Sequence, residues 1–212
     1  MSAMICATTF LSVLYKARDK LIASEVTSIF HHATVVILAL VCVPLNYAHL
    51  LEDSVLSESA RFPLVNTIQW INIGYFIYDT INAITWEPDF ILHHAVALAG
   101  LVVSDLSGLC GLSNTVNTLI AEIGSIAYNV YSKNKSRQNY IRFVCVYAAS
   151  RLVFAGWTVA VYAQVKDHLS LAISVPLLAI VLQIILLLVN VHFLSIHLRK
   201  LRHIFPNSKG DD

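Results

Sequence analysis

The chain has 212 residues, 57% of them hydrophobic and only 13% charged, with a mean hydropathy of +0.69 and a formal net charge of +1. Soluble domains carry about 25% charged residues, so this composition excludes an ordinary soluble globular domain and indicates a multi-span membrane protein. A net charge of +1 by itself says nothing about nucleic acid, which is not expected as a partner; the placement of the charges is more informative than their sum. The four scattered cysteines (Cys6, Cys42, Cys110, Cys145) lack a C-x-x-C pair and suggest neither a disulfide framework nor a zinc site.

A helix needs about 20 apolar residues to cross a hydrocarbon core of about 30 Å. The leading segment, residues 1–24, begins with a moderately apolar stretch too short to span and without a basic stretch before it. It reads as an interfacial piece, not as a cleaved signal peptide. Six spans follow, at 26–50, 64–86, 90–108, 111–131, 140–164 and 170–198, within a membrane domain of residues 25–203. The breaks between them are LEDSVLSESARFP, WEPD, DLSGLCG, SKNKSRQN and QVKDH, and residues 204–212 form a short tail. The expected fold is all-α, a polytopic bundle of about six transmembrane helices.

With six spans, Lys16, Arg18, Lys20, Lys133, Lys135, Arg137, Arg142, Arg199, Lys200, Arg202 and Lys209 share one side, and Arg61 and Lys166 occupy the other. Eleven against two places both termini in the cytosol by the positive-inside rule. Five or seven spans would scatter the basic clusters over both faces.

This topology sets the depth of every polar residue. His31 and His32 lie in the cytosolic third of the first span, and Asp79 sits about 10 Å from the cytosolic end of the second. His93 and His94 open the third span. Glu122 is near the middle of the fourth and Asn129 near its cytosolic exit. Arg151 lies a third to halfway into the fifth, and Asn190 and His192 fall in the cytosolic third of the last. The outer halves of the spans look almost free of such groups. Ionisable groups at membrane depth usually face a bundle interior or wet cavity and find partners, so a cytosol-facing polar cavity is expected. Arg151 needs a counter-ion, and Asp79 and Glu122 are the available carboxylates. Taken singly, Asn190, His32 and His192 read equally well as interhelical contacts, worth about 0.6 kcal/mol each.

Neighbouring helical residues diverge by about 100°, so the pair His93–His94 does not suit one metal ion, which helices bind through i,i+4 spacing. Neither His31–His32 nor His192–His197 has that spacing, and no metal site is expected. Instead, one histidine of the pair should face the cavity and the other a neighbouring helix. A neutral imidazole beside Asp79 or Glu122 is a serviceable general base near neutral pH. His93, His94, Asp79 and Glu122 are therefore the candidate catalytic group, with His31, Asn129, Arg151 and Asn190 lining the cavity.

In chain order, EVTSIFHHA, GYFIYDTI, DFILHHAVAL, LIAEIGSIAYN, ASRLVF and LLLVNVHFL resemble the TLC domain, most closely that of the small TLC domain-containing proteins. The family's S-x-x-H falls on Ser28 and His31, its G-Y-x-x-x-D on Gly74, Tyr75 and Asp79, and its paired histidines on His93 and His94. Its A-E-x-x-x-x-x-x-N falls on Ala121, Glu122 and Asn129, and its late Asn-Val on Asn190 and Val191. The resemblance implies a helix bundle of the endoplasmic reticulum or allied membranes, with these groups lining a central cavity. Ceramide synthases of the family carry a further His and two Asp after the double histidine. Here SNTVNTLIAEIG supplies only Glu122.

Three functions stand open: a protein of membrane-lipid homeostasis, an acyl-CoA-dependent N-acyltransferase acting on long-chain bases, and a cargo or translocation partner. No resident cofactor is expected, acyl-CoA entering only as a co-substrate. The expected partners are membrane lipids, with room for a homo-oligomer.

Overall fold

A computed structural model of the chain describes residues 8–9, 20–86, 91–166 and 175–204. The described residues are helical, with no strand. Helix α1 is Lys20–Leu45, followed by a short α2, Tyr47–Glu52, and a 3-10 turn at Ser59–Arg61. Then come α3 (Pro63–Trp86), α4 (Ile91–Ser107), α5 (Gly111–Lys133), α6 (Arg137–Val165) and α7 (Val175–Ile204). Most of the leading segment, the WEPD break, residues 167–174 and the tail after 204 lie outside the described residues.

The helix starts follow local chemistry. Pro63 opens α3, and Pro176 is the second residue of α7, where a missing N–H leaves no helical bond unmade. Ser136 caps α6, its hydroxyl accepting from the Asn139 backbone N–H. The first span ends earlier than its apolar run suggests. Pro44 stands at its last turn, and the chain restarts at Tyr47 as α2.

Six long helices close into a ring in the order α1, α3, α4, α7, α6, α5, with α5 also touching α3 and α4. Each expected span therefore corresponds to a helix. Three of them are long and apolar enough to cross a membrane: Glu25–Leu45, Arg137–Val165 and Val175–Leu201. Helix α4 is apolar but shorter, at 17 residues. Helices α3 and α5 fall outside the apolar set because they carry the inward polar residues, among them Gln69, Asn72, Ser113, Thr115, Thr118 and Glu122, all buried.

The exterior is apolar. Phe30, Leu45, Leu152, Val159 and Leu188 are each more than 60% exposed, the inverse of a water-facing surface. Inside, one cluster joins Ala39, Cys42, Val65, Ile68 and Leu112, and a second joins Tyr140, Phe143, Val144, Tyr147 and Phe193.

The end where α1 begins and α7 finishes is called here the terminal end; the opposite, far end is closed by the chain itself. Residues 53–62, expected as a polar break, fold inward with Ser54, Val55, Ser57 and Ser59 buried. The Ser59 N–H donates to Gly108 O (2.7 Å), Cys110 N–H to Val55 O (3.0 Å) and Ser113 N–H to Ser54 O (3.3 Å). The corner between α4 and α5 is tight: Gly108 and Cys110 both take left-handed backbone, φ 70° and 65°. Glycine does so freely and cysteine under strain. Burial pushes the Cys110 thiol up to about 12. Gly111 is required for space, because a Cβ there would meet Ser59 Oγ at 2.2 Å and Val65 Cγ1 at 2.7 Å.

The expectation that the outer halves hold almost no polar groups is corrected here. The Gln69 amide donates to Ser104 Oγ (2.6 Å), the Trp70 ring N–H to Asp105 Oδ1 (3.0 Å) and Ser54 Oγ to Gln164 Oε1 (2.9 Å). These groups are mostly uncharged and bind the inward-folded segment and its neighbours, as any buried backbone requires.

Candidate functional site

The polar residues of the terminal half meet where α1, α3 and α5 pack together. On α5 they form one stripe: Thr118, Glu122 and Lys133 contact Asn72, His32 and Glu25 in turn. Separations of four and eleven keep all three on a single helical face.

His31 is fully buried. Its Nε2 lies 2.9 Å from Asn72 Oδ1, and the Asn72 amide donates to Thr118 Oγ1, also at 2.9 Å. The His31 ring stacks on Tyr75, with centroids 3.7 Å apart and planes within 5°. His32, one residue on, has Nε2 at 2.9 Å from Ser28 Oγ, while its Nδ1 is paired with the Glu122 carboxylate. Both side chains of that pair are at most a tenth exposed.

The two imidazoles converge. His31 Nδ1 and His32 Nδ1 are 3.3 Å apart, with ring planes at 67°. The spacing argument against a shared ligand at His31–His32 does not hold here, because rotation about χ1 turns both rings into the same space although their Cα–Cβ bonds diverge.

The second double histidine divides between two neighbouring helices. His94 Nε2 lies 3.2 Å from Asp79 Oδ2, across the α3–α4 interface. His93 turns toward α7, its ring 6.3 Å from that of Phe193 and its buried Nδ1 without a hydrogen-bond partner. Of the candidate catalytic residues, Asp79 and His94 pair with each other, Glu122 pairs instead with His32, and His93 joins neither pair.

Arg151 is not paired with either carboxylate, contrary to the expectation of a counter-ion. Both carboxylates are occupied by histidines from α1 and α4. The guanidinium, 6% exposed, instead lies 4.2 Å over the Tyr147 ring, and its Nε has no hydrogen-bond partner. Tyr147 donates to Asn190 Oδ1 (3.0 Å), and the Asn190 amide donates back to Leu186 O (2.8 Å). Asn129 has a buried Nδ2 without a partner.

Sequence reasoning gave His32, Asn72 and Tyr75 too little weight. Tyr75 and Ser28 were present in the quoted motifs, but Ser28 bonds His32, four residues on, and not His31. An i,i+4 check on each motif serine would have found that contact.

Chemically, this layer can hold and move protons. Two carboxylate–imidazole pairs and a buried cation sit inside an otherwise apolar ring.

The chain matches the TLC domain over residues 21–199, which include every helix of the ring except Lys20 of α1 and the last residues of α7. No curated protein and no solved structure matches it.

Proposed function

Because the chain belongs to the TLC-domain family, we propose that this multi-pass membrane protein handles membrane lipids and adjusts sphingolipid or phospholipid composition from the endoplasmic reticulum. The observation that carries this reading is the polar layer of half-buried Asp79 with buried His94, Glu122, His32 and Arg151 inside an apolar-faced helix ring. Ionisable groups kept at such depth are expensive, and in membrane proteins they mark the place where a polar substrate or headgroup is met.

In this reading six helices span the bilayer. The excess of Lys and Arg at the terminal end supports a cytosolic position for both termini, so the layer opens toward the cytosolic leaflet. Arg151, a buried cation with no carboxylate at hand, suits the anionic part of a lipid. The ordered motifs support a place among small members such as TLC domain-containing protein 4. The direct test is native mass spectrometry of the purified protein. Wild type should retain anionic or sphingoid lipid, and Arg151→Met should lose it. A wild type that emerges lipid-free from several gentle detergents would overturn the reading.

A second reading, acyl-CoA-dependent N-acyltransfer, is favoured by the His94–Asp79 pair. A carboxylate holding one imidazole nitrogen orients the ring as a general base for an attacking amine. Labelled acyl-CoA and a long-chain base in liposomes test it. Amide product should vanish in His94→Ala, while its absence in wild type across several acyl lengths would dismiss the reaction.

A further inference from the structure

The meeting point of His31, His32 and Glu122 has the form of a metal site. We propose that these three residues bind one divalent transition-metal ion of the zinc class, through His31 Nδ1, His32 Nδ1 and a Glu122 carboxylate oxygen. A fourth position would remain open. The proposal goes beyond the lipid-handling reading and stands on geometry of its own.

Three observations carry it. One donor atom from each residue lies within 4.8 Å of the others, and all three side chains are buried. The 3.3 Å separation of the two Nδ1 atoms is one edge of a tetrahedron. Zinc–nitrogen bonds of about 2.0–2.1 Å place neighbouring ligand nitrogens about 3.3–3.4 Å apart.

The second observation is the outer partner of each ring. Asn72 Oδ1 can only accept, so His31 Nε2 carries the hydrogen and Nδ1 presents a lone pair inward. Ser28 Oγ lies against His32 Nε2, and a hydroxyl there is able to accept the hydrogen of that nitrogen. Metal-binding histidines are held this way, with the outer nitrogen hydrogen-bonded and the inner one free for the ion.

The third is Glu122. Its Oε2 is sealed from solvent and paired with His32 Nδ1, at the point where His31 Nδ1 also converges. The nearby fixed cations are otherwise placed, Lys133 on Glu25 and Arg151 over Tyr147. A bound cation at the convergence point would neutralise the Glu122 carboxylate.

Two histidines and one glutamate are a three-ligand set of the kind that leaves a coordination position for water or substrate. Asp79 and His94 are within electrostatic range of His32 and Glu122, so the open position would be flanked by a proton-accepting pair. An ion there could take an ester, amide or phosphate oxygen of a lipid as its fourth ligand.

The test uses full-length protein carrying a tag without histidine, purified in detergent after growth with zinc. Plasma mass spectrometry should find one zinc per chain in wild type and in His94→Ala. At least a tenfold lower occupancy is expected in His32→Ala and Glu122→Gln. Gel filtration would show which variants remain folded. Should a ligand variant misfold, the wild type still decides the matter by cobalt substitution. Intense tetrahedral Co2+ bands, abolished by added zinc, support the site. Well-folded wild type that takes up neither ion, or metal that persists in both folded ligand variants, overturns it.

Discussion

Asp79 on α3 and His94 on α4 face each other with Oδ2 and Nε2 3.2 Å apart, and the Phe76 ring lies 5.7 Å from the same imidazole. The pair links two helices joined by the short WEPD connection. Its strength in the bilayer can be measured apart from any catalytic role. Interhelical polar contacts in membranes average about 0.6 kcal/mol and reach about 1.7 kcal/mol. A double-mutant cycle of Asp79→Asn and His94→Ala, read by unfolding in mixed micelles, should return a coupling within that range. A coupling of zero would show that the two groups do not act as a pair.

The Glu122–His32 contact is buried more deeply, and its two variants should behave unequally. His32→Ala leaves the carboxylate buried without its imidazole, a change of the kind that costs about 3–5 kcal/mol. Glu122→Gln removes the charge and should cost less. A thermal melt of both variants checks the order. Equal losses would mean that the charge of Glu122 does not matter to the fold.

Arg151 reverses the usual direction. Its cation is buried without a carboxylate, so the cost of taking it out of water is not offset by an ion pair, and an apolar residue of similar length removes that cost. Arg151→Met should therefore melt at or above the wild-type temperature while losing any co-purified anionic lipid. A large fall in melting temperature would instead assign Arg151 to the scaffold, through its packing on Tyr147.

At the far end, Gly111→Val should be harmful. A Cβ at that position overlaps Ser59 Oγ, Ser59 Cβ and Val65 Cγ1. Overpacking of this kind costs about 1–3 kcal/mol. Adding Ser59→Gly and Val65→Ala should restore part of the loss, and a melt series over the three steps measures it.

The Cys110 thiol should resist alkylation in the folded protein at pH 8. It is 2% exposed, and its ionisation is pushed up to about 12, so the reactive thiolate is scarce well above neutrality. Maleimide labelling that appears only after denaturation is the expected result. Labelling of Cys110 in the native protein would show that the far end opens.

The helices were legible in the sequence because six apolar runs of nearly bilayer length leave few alternatives. The charge asymmetry then fixed their expected order across the membrane. The polar layer was legible in outline for the same reason, since a histidine or carboxylate in such a run must meet something. Its pairings were not. Whether Glu122 takes His32 or Arg151 depends on which helices become neighbours in the ring, and no local pattern states that. His32 was undervalued because adjacent helical residues were treated as diverging rods. Rotation about χ1 lets two neighbouring rings meet at their nitrogens. Residues 53–62 misled for the opposite reason: serines and acids look solvent-facing, yet serine hydroxyls and backbone amides here complete the α4–α5 corner.

That corner determines more than packing. The 53–62 segment is tied through main-chain bonds to Gly108, Cys110 and Ser113. The two segments, distant in sequence, therefore behave as one unit, and the amides of Ser59, Cys110 and Ser113 should exchange with solvent together.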